Sequence, residues 1–77
     1  MTNKLLEIGA ELDRESCTWL EENHPLLFDA IELAVIRDVS PAEIRMYVLR
    51  QVGGERTGIA NRCEGAARHL IAQKMGA

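Results

Sequence analysis

Seventy-seven residues, 47% of them hydrophobic and 27% charged, form one small domain and exclude a disordered tail. A chain this short buries only roughly 60% of its unfolded surface. Its core is therefore thin and, with Trp19, Phe28 and Tyr47 as the only aromatics, mostly aliphatic. Two cysteines are too few for a disulfide framework, and a net charge of −3 is modest.

The first element is a helix over residues 3–22, capped by Thr2 or Asn3. Leu5, Ile8, Leu12, Ser16 and Trp19 share one face with Leu20 beside them, while Glu7, Glu11, Arg14, Glu15, Thr18 and Glu22 lie opposite. That is a one-sided amphipathic helix that packs on a single neighbour. Asn23-His24-Pro25 ends it, because proline disfavours helical geometry in the residue before it.

A second helix spans residues 25–37. Leu27, Ala30, Ile31, Ala34 and Val35 make a broad apolar face, and Leu33 and Ile36 share the opposite face with Asp29 and Glu32. Such a helix is central or sits at an interface. The corner at 38–43 follows: Ser40 is a good N-cap, Pro41 suits the first helical position, and Glu43 stands where a capping-box carboxylate returns to the Ser40 N–H. The third helix, residues 41–52, carries one stripe of Ile44, Tyr47, Val48 and Val52 and another of Ala42, Met46 and Leu49, with Arg45 and Arg50 on the flanks. Gly53 terminates it.

The fourth helix begins after Gly54-Glu55-Arg56, capped by Thr57, and covers residues 57–75. Ile59, Cys63, Ala66, Ala67 and Leu70 lie together, with Ala60 and Ile71 at the margin, and these small residues let another backbone approach closely. No stretch alternates as a strand would. The fold class is all-α: a compact single domain (1–77) of four short helices joined by short connections, with the pair at 25–52 in the middle and the flanking helices covering it.

Charge is unevenly spread. Residues 1–32 hold two basic and eight acidic residues, a balance of −6, whereas residues 33–77 hold seven basic and four acidic, a balance of +3. The acidic first helix can lie beside the basic half, within the molecule or across a dimer, or the basic half can meet an anionic partner. The first alternative is the simpler. Lys4, Glu7, Glu11 and Asp13 leave no room for a signal-peptide apolar region, and the longest apolar run, residues 33–36, is too short to span a bilayer. The reading is a reduced, cytoplasmic protein with no membrane partner.

The corner resembles a helix-turn-helix motif over about twenty residues. Ala34 takes the small position of the first helix, Val39 the turn position and Ile44 the inward position of the second, so Arg37, Arg45 and Arg50 become possible DNA contacts. Asp38 stands where the turn glycine belongs, Glu43 lies near the start of the recognition helix, and Met46 and Leu49 are odd on a groove-reading surface. Gly53-Gly54-Glu55-Arg56-Thr57-Gly58 has the outer spacing of a phosphate-binding loop, but Ile59-Ala60 replaces the lysine and hydroxyl that phosphate and Mg²⁺ need. Exposed N–H groups beside Arg56 can at most hold a stray anion.

Cys17, His24, Cys63 and His69 lack the close pairing of zinc ligands, so no metal and no cofactor is expected. No third group orients a Cys–His pair, and so short a chain leaves little room for a ligand pocket, so no catalysis is expected. What remains is surplus apolar surface on Leu33, Ile36, Met46 and Leu49, rimmed by Arg45 and Arg50. Either the flanking helices cover it, or it docks a partner. The reading is a non-catalytic protein–protein interaction or adaptor module, self-associating as a homodimer through these six residues. The alternative is a small helix-turn-helix DNA-binding regulator.

Overall fold

A computed structural model describes residues 3–54 and 57–76. It contains α1 (Asn3–Asn23), α2 (Pro25–Ile36), α3 (Pro41–Val52) and α4 (Thr57–Gly76), with no strand among the described residues. The all-α reading and the four helices stand, with ends within about one residue of those the sequence implies. The radius of gyration is 12.2 Å, close to the roughly 11–12 Å of a compact chain of this length. No described helix is long and apolar enough to cross a membrane.

The helix ends follow from local chemistry. His24 leaves helical geometry ahead of Pro25, and its N–H still donates to the Leu20 carbonyl at 2.7 Å. At the end of α2 the Val39 N–H donates to the Ala34 carbonyl and the Asp38 N–H to the Val35 carbonyl, both at 3.0 Å. Asp38 sits between them at φ 62°. This is a Schellman turn with aspartate in the left-handed position usually given to glycine. Ser40 then caps α3, its Oγ accepting from the Glu43 N–H at 3.2 Å. Among the described residues the reciprocal half of the capping box is not made, and Glu43 turns its side chain elsewhere. Gly53 ends α3 at φ 81°, its N–H donating to the Leu49 carbonyl. Thr57 is the first helical residue of α4 rather than the residue before it. The cap at Thr2 and the anion contact at Arg56 lie outside the described residues.

Packing departs from the expected plan in two ways. The central helix is α4, which packs against α1, α3 and α2, while α2 and α3 scarcely touch. The reason is side-chain size: Ala60, Cys63, Gly65, Ala66 and Ala67 are all buried, so neighbours close in on α4 from several sides. The second departure concerns α1. Leu20 and Cys17 are buried and Gly9, Asp13 and Ser16 half-buried, whereas Leu5, Ile8 and Leu12 are 77%, 49% and 56% exposed. The N-terminal part of the expected face is left uncovered, while Ser16 and Leu20 further along it are covered and Asp13 and Ser16 lie against Gly65 of α4. A Cβ on Gly65 would stand 3.1 Å from Ser16 Oγ and 3.1 Å from Asp13 Oδ1, a measure of how closely the two helices approach. The remaining core is Phe28, Ile31 and Val35 from α2 with Ile44 and Val48 from α3.

Candidate docking groove

Because α2 and α3 lean on α4 rather than on each other, an open trough of about 710 Å³ lies between them. Its floor is the buried trio Ile31, Ile44 and Val48. One wall comes from α2, through Leu27, Ala30 and Ala34, and the other from α3, through Ala42, Met46 and Tyr47. The helical repeat explains both walls. Positions 27, 30, 31 and 34 recur at the i, i+3, i+4, i+7 spacing of one face, and the three alanines facing the trough leave the space a larger side chain would fill. Glu43 and Arg50 are the charged lining residues, one near each end of α3. The volume lies within the range of ordinary binding sites, more than the chain length implies.

The six residues read from the sequence as an interface do not form one surface. Met46, 48% exposed, and Arg50 line the groove. Leu49 is half-buried and packs against the core. Arg45 points to α4, where its Nε donates to Asn61 Oδ1 at 3.0 Å. Leu33 and Ile36, 47% and 67% exposed, do not line the groove and form a separate exposed strip on α2 with Leu26. Sequence reasoning missed Ala30, Ala34 and Ala42 as groove residues, because alanine reads as core filling. The missing signal was that two alanine faces border one corner.

For the DNA reading, Arg45 and Arg50 diverge by about 140° around α3, given 3.6 residues per turn. One is tied to Asn61 and the other stands over an apolar trough. Arg37 is exposed beside the turn.

The thiols offer little chemistry. Cys17 and Cys63 are free and buried. Burial pushes the Cys63 pKa up to about 11, and burial followed by Glu21 and Glu32 raises that of Cys17, so both stay protonated at neutral pH. Cys17 and His69 line a shallow polar crevice with Glu21, Asp29 and Glu32. Among the described residues no three His, Cys, Asp or Glu side chains are grouped to hold a metal ion. On the far side of α1, Arg62 stacks over Trp19 at 4.3 Å from the ring centroid, and His24 lies 5.3 Å from the same ring.

Compared with protein-family models, curated proteins and solved structures, the chain matches none of them.

Proposed function

We propose that this chain is a small, non-catalytic protein–protein interaction module that self-associates through the groove between α2 and α3. The observation that carries the reading is the groove itself, an apolar trough flanked by exposed Met46 and Tyr47 with single charges toward its ends. Covering such surface is favourable at about 25 cal/mol per Å². An open trough between two helices is the shape that receives the apolar face of a third. Protonated, buried thiols argue against nucleophilic catalysis, and two free thiols support a reduced, cytoplasmic setting.

Sedimentation equilibrium of the wild type and of Met46→Glu tests the reading, with circular dichroism as the control for folding. A wild type heavier than one chain, and a Met46→Glu variant that is helical but monomeric, is the expected result. A wild type that stays monomeric at every concentration would end the self-association reading.

One observation favours a second reading. Asp38 holds the left-handed turn conformation that a helix-turn-helix gives to glycine, and Ser40 caps the helix after it. In that reading Arg37 and Arg50 contact phosphates. Fluorescence anisotropy with mixed-sequence duplex DNA would then show an affinity falling steeply with salt. The divergence of Arg45 from Arg50 makes this the lesser of the two.

A further inference from the structure

Resting on the docking groove proposed above, we infer that its occupant is the N-terminal half of α1 from a second copy of this chain. Leu5, Ile8 and Leu12 stand at i, i+3 and i+7, the spacing with which an amphipathic helix anchors in a groove. They are largely uncovered in their own molecule because α1 packs on α4 through Asp13 and Ser16, about 75° further round the helix. The chain cannot fill its own groove with this stripe, since α1 packs against α4 and α2 and scarcely reaches α3. Two unpartnered apolar surfaces, one convex and one concave, are thus carried on the same molecule.

Size and charge match. Leu5 to Leu12 spans about 10 Å of helix, and each groove wall is a helix of about 18 Å. Lys4 and Glu11 lie one heptad apart at the margin of the stripe, and Glu43 and Arg50 lie one heptad apart along the groove. With the incoming α1 parallel to α3, Lys4 faces Glu43 and Glu11 faces Arg50, a complementary arrangement at both ends. Among the described residues none of these four side chains makes an ion pair within its own molecule. A contact between two different surfaces of one chain closes into a dimer when made reciprocally and otherwise adds copies head to tail.

The test uses two variants that each spoil one surface. The double variant Ile8→Glu, Leu12→Glu keeps the groove, and Met46→Glu keeps the stripe. Ala42→Glu, at an exposed groove position, is the second groove variant should Met46→Glu lose helicity. By sedimentation equilibrium each variant alone should self-associate at least tenfold more weakly than the wild type. Mixed in equal amounts, the two kinds should form one-to-one pairs and nothing larger, because one intact stripe then meets one intact groove. A stripe variant that associates as the wild type does would overturn this occupant while leaving the groove as an interface. So would a mixture that stays monomeric although the wild type associates. A wild type that is monomeric throughout would overturn both this inference and the reading beneath it.

Discussion

Arg68 on α4 forks onto Asp13 on α1, with Nε 3.0 Å from Oδ2 and Nη2 3.0 Å from Oδ1. The carboxylate is mostly shielded and the guanidinium half exposed. Hydrogen bonding to Asp13, above all, holds the Arg68 pKa above its ordinary value. The fork joins the acidic first helix to the basic half of the chain within one molecule, the simpler of the arrangements that the charge distribution allows. Removing it by Asp13→Ala should cost about 1 kcal/mol, near the upper end for a pair open to solvent on one side. A double-mutant cycle with Arg68→Ala, read by urea denaturation, should return a coupling of about the same size. A coupling near zero would show that the geometry does not stabilise the fold.

The same carboxylate oxygen limits what Gly65 can become. A Cβ there would lie 3.1 Å from Asp13 Oδ1 and 3.3 Å from Ser16 Cβ, whereas a Cβ on Gly9 would meet nothing within 4 Å. Gly65→Val should therefore separate α1 from α4 and cost roughly 2 kcal/mol or more. Gly9→Ala should stabilise by about 0.5–1 kcal/mol, the ordinary gain from replacing glycine inside a helix. Thermal melts of the two variants should move in opposite directions.

Asp38 at φ 62° holds a conformation that costs most side chains about 1–2 kcal/mol and aspartate somewhat less. Asp38→Gly should relieve it and raise stability by about 0.5 kcal/mol. Its 3.7 Å pair with Lys74 is exposed and contributes little that would be lost. Asp38→Val, a β-branched residue in the left-handed region, should lower stability by about 1 kcal/mol or more. Chemical denaturation of both variants checks the pair.

The helices were legible because their signals are local: Pro25, the Ser40-Pro41 corner and Gly53 each act within a few residues. Their arrangement was not. Apolar periodicity marked Leu5, Ile8, Leu12, Ser16 and Trp19 as one packing face of α1, but the part that meets α4 is Ser16 and Trp19, with Asp13 from beside them, while Leu5, Ile8 and Leu12 stay exposed. No pattern within one helix reports the shape of its neighbour. The residues that line the groove were half legible for a related reason. Met46 and Arg50 reach the groove, but Arg45 is drawn to Asn61 on a helix sixteen residues away in sequence, a partner that periodicity cannot reveal. The groove exists because α4, not the α2–α3 pair, took the centre.

The core thiols make stability depend on alkaline pH. Burial raises the Cys63 pKa from 9.0 to about 11 and favours the neutral form in the folded state. Between those values the unfolded chain binds fewer protons than the folded one, so stability falls as pH rises. The contribution is fully present below pH 9 and is lost as pH rises through about 11, on the order of 2 kcal/mol across the window. Cys17 acts in the same direction. Urea midpoints read by Trp19 fluorescence should decline above pH 9, and Cys63→Ala should flatten most of that slope. An equal slope in the variant would place the titration elsewhere.

A dilution series of amide nitrogen–proton NMR spectra reads the central claim residue by residue. If copies associate through the groove, the signals of Ala34, Ala42, Met46 and Arg50 shift with concentration, together with those of Leu5, Ile8 and Leu12. The signals of Leu26, Leu33 and Ile36 on the outer strip of α2 stay fixed. Spectra that do not change with concentration, or changes confined to that outer strip, would contradict association through the groove.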